Sequence, residues 1–213
     1  QARELSLFPF KTASSADLFH LWIYDKLGIN ARPIPGLSTS AGFQSFLRGE
    51  LQMASQGTSG FLSKVVPEID AGNAVQFMTL GVLQADGSVA HPSYSSDAIT
   101  FPEMYEKVNG MPLEGEDLEA FKVIAANWGP ASKGLFLPTG TPQDVVDAWR
   151  GAIRKMTEDP QFIADAPGNI GPFPVVIGEP VEEIFANAVN LSDASKSQFN
   201  AALKKYGMTF RIP

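Results

Sequence analysis

The chain has 213 residues, 44% of them hydrophobic and 18% charged, enough for one large domain or two small ones with a real core. Its formal net charge of −7 makes it a poor partner for phosphate backbones, whose binding rests on Lys and Arg, so no nucleic-acid role is expected. Cysteine is absent, which excludes disulfides and thiolate metal sites. His20 and His91, the two histidines, cannot build a His-rich metal cluster. No apolar stretch reaches the length of a membrane span, so direct membrane insertion is not expected. The N-terminal residues lack the basic and apolar regions of a signal peptide; export is either absent or its signal has been removed.

In chain order, Leu5–Phe10 is apolar and predicts a strand. Lys11–Ser15 turns the chain into a helix over about Ala16–Leu27, with Ser14 and Asp17 in a capping-box pattern and Gly28 as its stop. Asn30–Pro35 predicts a second strand, followed by the turn Gly36–Ser40 and a helix through Leu47. Leu51–Ser55 predicts a third strand, and Gln56–Gly60 leads into a helix over Phe61–Ala71, closed by Gly72. Ala74–Val82 is a long apolar stretch that predicts a fourth strand. Strand, polar turn and helix thus repeat three times, which argues for α/β layers with a mostly parallel sheet.

Gln84–Thr100 is rich in Ser, Asp, Gly and Pro and predicts a loop. Thr100 and Pro102 open a short helix over Phe101–Val108. Strands are predicted over Lys122–Asn127 and Gly134–Leu137, around a loop that carries Trp128. Thr141 as cap and Pro142 at the first helical position start a helix to about Met156. Asp159-Pro160 opens another helix, Val175–Ile177 predicts a strand, Glu179-Pro180 begins a long helix to about Tyr206, and Met208–Ile212 predicts a last strand.

Three polar turns stand out: Thr12–Ser15 (Thr12, Ala13, Ser14, Ser15), Ser38–Ser40 (Ser38, Thr39, Ser40) and Gln56–Ser59 (with Gln56, Thr58 and Ser59). Each follows a predicted strand and opens a predicted helix. In open α/β sheets such turns gather at the carboxyl ends of the strands, where ligands bind. Helix N-termini there offer free N–H groups and a positive dipole end to an anion. Ser and Thr also cap helices for purely local reasons. Together the three turns describe a pocket for a small carboxylate that needs neither metal nor cofactor. Trp128 reads either as a plug between elements or as an apolar wall of that pocket. No catalytic residue is expected: there is no G-x-S-x-G elbow, no phosphate loop with its lysine, and no convincing partner for either histidine. His20, on a predicted helix beside Trp22 and Tyr24, reads as a packed or surface residue.

Phe46-Leu-Arg-Gly-Glu-Leu51, Glu68-Ile-Asp-Ala-Gly72, Leu137-Pro-Thr-Gly-Thr-Pro-Gln-Asp-Val-Val146, Asp159-Pro160 and Glu179-Pro-Val-Glu-Glu-Ile-Phe185, in this order and spacing, resemble the tripartite tricarboxylate transporter receptors, the Bug family of periplasmic solute-binding proteins. The resemblance covers roughly that family's C-terminal two-thirds. It implies an α/β fold of the type II periplasmic-binding class, a two-lobed clamp with one lobe complete and the other partial. Residues 1–115 would be the second lobe with the ligand loops, and residues 116–213 would return to the first lobe. It implies capture of a small organic acid in the periplasm for the membrane subunits of a secondary transporter, without catalysis. The family's N-terminal lobe segment has no counterpart here. The part after Glu116 is therefore expected to be an incomplete layer, with an unpaired strand edge or bare apolar face covered by a second chain or by a segment outside this sequence. Gln52 and Gln56 stand where the family often carries Asp; a neutral amide repels an anion less, so the ligand is expected to differ from the family's usual ones. The competing readings are an α/β enzyme acting on a small carboxylate-bearing substrate and a purely structural or interaction domain.

Overall fold

The computed structural model describes residues 5–12, 17–84, 86–129, 133–171 and 173–213. The fold is mixed α/β with helix dominant. Strand β1 (Ser6–Phe10) leads to α1 (Leu18–Lys26), β2 (Ala31–Pro35) and α2 (Thr39–Leu47). β1 and β2 pair in parallel from Ser6↔Ala31 to Phe10↔Pro35, so their carboxyl ends lie side by side. Pro33 and Pro35 deprive β2 of two donors, which suits an edge strand. On its other side β1 meets the 51–53 stretch, where the amides of Gln52 and Met53 both donate to the Leu7 carbonyl at 3.1 Å. The Gln52 side chain returns the bond, its Oε1 accepting from the Leu7 amide at 2.9 Å. Leu51–Ser55 is therefore not a ladder strand: a side chain supplies half of the exchange that a strand would make with its backbone.

A helical run follows: α3 (Thr58–Gly60), a π turn (Phe61–Val65) and α4 (Val66–Asp70). Pro67 explains the wide turn. It cannot donate to the Ser63 carbonyl, and its ring crowds that oxygen, so the chain opens by one residue just before it. Gly72 ends the run at φ 77°. The predicted long strand Ala74–Val82 is not a strand. The chain there is extended but has one isolated bridge, Thr79 to Thr100, before the two-residue hairpin of β3 (Val82–Leu83) and β4 (Val89–Ala90). α5 (Phe101–Asn109) starts at a capping box, with Glu103 Oε2 accepting from the Thr100 amide at 2.8 Å, and ends at Gly110 in the left-handed region.

Lys122–Asn127, read from the sequence as a strand, lies inside α6 (Gly115–Trp128). Ala120, Phe121, Ile124 and Ala125 recur at helical spacing and are all buried, and Glu116 and Asp117 occupy the positive N-terminal turn. Trp128 is thus the last residue of a helix, not a loop residue. Gly134–Leu137, Val175–Ile177 and Met208–Ile212 also form no strands. A strand exists only by pairing, and among the described residues no neighbouring strand lies beside them. α7 (Gln143–Thr157) starts one residue later than read, with Pro142 as cap, while the Thr141 hydroxyl donates back to the Pro138 carbonyl at 2.7 Å. Asp159 caps α8 (Pro160–Ile170) as expected, accepting from the amides of Gln161 and Phe162. The long last helix divides into α9 (Glu179–Val189) and α10 (Asp193–Lys205), because Ser192 breaks the run and caps the second helix through the Ser195 amide at 3.1 Å.

One core joins both halves of the chain. Phe8, Phe10, Trp22, Phe101, Phe121, Phe199 and Leu203 are all almost fully buried in a single cluster, each such side chain contributing about 1.5–3 kcal/mol. α10 packs on α1, where the Trp22 indole donates to Gln198 Oε1 at 2.9 Å. Lys26 pairs with Asp117 at 2.6 Å, and Lys205 with Asp25. The core therefore runs across the 115/116 position. By contrast α7 and α8 bury no side chain, and Leu135 and Phe136 are 77% and 71% exposed.

The closeness of α2 to β1 rests on Gly42. A Cβ there would fall 2.2 Å from Pro9 Cβ and 2.5 Å from its Cγ, and the proline ring has no room to rotate away. Gly42→Ala is expected to destabilise the chain by about 1–3 kcal/mol, although alanine is the better helix former by ~1 kcal/mol. The urea midpoint of the two proteins, at equal m-value, measures it.

Candidate functional site

The site follows from the β1–β2 ladder. Because Phe10 and Pro35 are register partners, the chain leaves both strands, at Lys11 and at Gly36, on one side of the pair. The third turn arrives there through Gln52, clamped to Leu7 as described. Gln56 then closes the group: its Nε2 donates to the Thr39 carbonyl at 3.3 Å. The second and third polar turns are thus in direct contact. Of the first turn, Ala13, Ser14 and Ser15, with the Ser14–Asp17 capping box, lie outside the described residues. Its flanks are described: Thr12 is exposed, and Asp17 Oδ2 accepts from the Lys11 amide at 2.7 Å.

The hydroxyls have mixed roles. Ser38 is an N-cap, its Oγ accepting from the Ala41 amide at 3.2 Å. Thr39 and Ser40 are exposed in the first turn of α2, and their amides have no acceptor among the described residues, as the first turn of a helix requires. The Thr58 hydroxyl shares a hydrogen bond with the Tyr94 hydroxyl at 3.1 Å. Ser59 is partly buried, and its carbonyl accepts from Ser63 Oγ at 2.7 Å. Tyr94 was not identifiable from the sequence. It sits in a polar loop with no motif around it, and only the fold carries that loop back to Thr58.

Beside the third turn opens a trough of about 1260 Å³. Gln56, Thr58, Tyr94 and Trp128 line it, together with the extended stretches 74–83 and 134–138. Thr12, Ser38, Thr39, Ser40 and Ser59 do not. The expected residues therefore fall into two groups: Ser38–Ser40 exposed at the start of α2, and Gln56, Thr58 and Trp128 on the walls of the trough. Among the described residues no three His, Cys, Asp or Glu side chains gather as a metal would require.

Trp128 packs edge-on to His20, with ring centroids 4.8 Å apart. His20 is buried against Phe8 and Tyr24. Its Nδ1 lies 4.0 Å from Asp17 Oδ1, beyond hydrogen-bond reach, and neither it nor the Trp128 indole nitrogen has a hydrogen-bond partner among the described residues. Burial disfavours the imidazolium and outweighs the nearby Asp17 carboxylate, lowering the His20 pKa from 6.5 to about 4. His20 is thus a neutral core histidine beneath the trough.

The linkage has a definite sign. Between pH 6.5 and about 4 the unfolded chain binds a proton at this position that the folded chain does not, so stability falls as pH falls through that window. The loss is expected to reach ~3 kcal/mol at the acid end. His20→Phe keeps the aromatic packing and removes the titration. Urea unfolding of both proteins from pH 7 to pH 4 should show the stability of the parent, relative to that of the variant, falling by that amount, because acid destabilises only the parent through His20.

Comparison of the chain with protein-family models, curated proteins and solved structures gives no match.

Proposed function

We propose that this chain is ligand-binding machinery of an extracytoplasmic solute-binding receptor, one that captures a small organic acid for the membrane subunits of a tripartite secondary transporter. In this reading the fold is a type II periplasmic-binding arrangement, the receptor works in the periplasm, and no bond is made or broken in the ligand. The observation that carries it is the meeting of the second and third polar turns, through Gln56 and the Thr39 carbonyl, beside the carboxyl ends of a parallel strand pair. Such an edge offers amides and hydroxyls to a carboxylate without a competing charge. The resemblance to the Bug family supports the same reading. No helix among the described residues is long and apolar enough to cross a membrane.

Ser38, Thr39 and Ser40 are open to solvent, so a ligand here is gripped from one side. A site that encloses little of its ligand is weak, and saturable binding is expected in the millimolar range, ~4 kcal/mol. Titration with succinate, citrate and benzoate, followed by amide chemical shifts, should move resonances of residues 38–40 and 56–59 together. Gln56→Glu, which places a like charge beside the anion, should weaken binding about tenfold or more. Shifts confined to other regions, or none with any acid at tens of millimolar (~2–3 kcal/mol of affinity), would defeat the proposal.

A further inference from the structure

The trough is more basic than the chain around it. Its lining holds two cations, Lys133 and Arg150, against one acid, Glu182, in a protein whose formal net charge is −7. Lys133 is exposed and forms no ion pair among the described residues. Its Nζ lies 3.5 Å from the Ile170 carbonyl, the outer limit of a hydrogen bond, so its charge is left largely uncompensated. The next residue, Gly171, leads to the third polar turn. A Cβ there would fall 3.0 Å from the Phe173 ring and 3.4 Å from Thr58 Cγ2. Lys133 and Thr58 therefore meet the end of α8 at adjacent residues.

The hydroxyls at this corner are not used up by each other. Thr58 and Tyr94 share one hydrogen bond at 3.1 Å; whichever donates, the proton of the other is left for an acceptor outside the pair. Around them stand aromatic rings. Phe61 lies 6.1 Å from the Tyr94 ring, and Phe61, Tyr94 and Phe173 all line the trough. This donor set suits one carboxylate and no more. A second carboxylate on the same small molecule would lie against the rings, stripped of water with no donor in exchange. An aromatic body would meet those rings edge-on or offset, the arrangements that ring quadrupoles favour.

We propose that this corner of the trough binds an aromatic monocarboxylate, its carboxylate between Lys133 Nζ and the Thr58–Tyr94 hydroxyls and its ring against Phe61 and Phe173. The inference rests on the receptor reading and narrows its ligand: it adds Lys133 and Tyr94 to the binding residues and sets aromatic acids above di- and tricarboxylates. Lys133 supplies the charge that the polar turns lack, and the rings supply the selection.

Titration of the full chain with benzoate, cinnamate, succinate and citrate, followed by amide chemical shifts, tests it. Benzoate and cinnamate are expected to bind about tenfold more tightly than succinate or citrate and to shift Thr58, Tyr94, Lys133 and Gly171. Lys133→Met should weaken benzoate about tenfold or more, as the loss of a charge-assisted bond does, and should remove the salt dependence of its binding. Lys133→Arg keeps the charge and should retain binding. Tyr94→Phe keeps the ring and should weaken benzoate about fivefold. Benzyl alcohol, which has the ring without the charge, should bind the parent and Lys133→Met alike. Equal circular dichroism of parent and variants separates these losses from misfolding. Succinate or citrate binding more tightly than benzoate, or benzoate binding that ignores both Lys133→Met and Tyr94→Phe, would overturn this inference and leave the receptor reading standing. No response to any acid would overturn both.

Discussion

Seven consecutive side chains of α1, from Leu18 to Tyr24, are withdrawn from water, and a helix buried on every face has to be wrapped on every face. β1 covers it with Phe8, α5 and α6 with Phe101 and Phe121, and α10 with Phe199 and Leu203. These elements come from sequence positions up to about 190 residues apart, so the chain has to return over its own start before the helix is stable. The few polar groups drawn inside follow from the same requirement. The Trp22 indole finds Gln198, whereas His20 sheds its charge because nothing nearby repays its desolvation. The polar turns, and with them the proposed binding edge, take their positions from β1, the strand pressed directly on this helix.

The rest of the chain shows what happens where wrapping is absent. α7 is as clearly amphipathic as any helix here, and the stretches around Phe136 and Val176 are as apolar as β1. Yet they remain open, because apolar side chains are buried only when another surface faces them. Amphipathic pattern states that a face should be covered. It does not state by what. Burial in this molecule therefore divides according to partner, not according to composition.

That division also separates what could be read from the sequence and what could not. Elements that begin with local chemistry were legible: the starts of α2 near Ser38, of α5 at Thr100 and Pro102, and of α8 at Asp159-Pro160 all rest on residues close in sequence. The pair β1–β2 was legible from an apolar run and an extended stretch separated by a helix that Gly28 stops, the alternation that a parallel pair needs. The failures lie where the decision is non-local. Lys122–Asn127 has strand-like composition, and packing against α9 and α10 makes it helical. Gly134–Leu137 and Val175–Ile177 have strand composition too, but no strand lies beside them to pair with. The site divides in the same way. The turns follow from chain order, whereas the Gln56–Thr39 contact and the return of Tyr94 to Thr58 depend on tertiary geometry that no spacing encodes.

The Gln52 clamp on Leu7 has a consequence for motion. Most strand amides are protected by a neighbouring backbone and exchange only when the sheet opens. The Leu7 amide is guarded by a side chain carried on an exposed loop residue. Rotation of that one amide group frees it while Phe8, the next residue, stays sealed in the core. Leu7 thus registers the excursions of the third turn on their own timescale, separately from unfolding of the core behind it. A strand residue of the scaffold in this way keeps a record of how still the binding edge is.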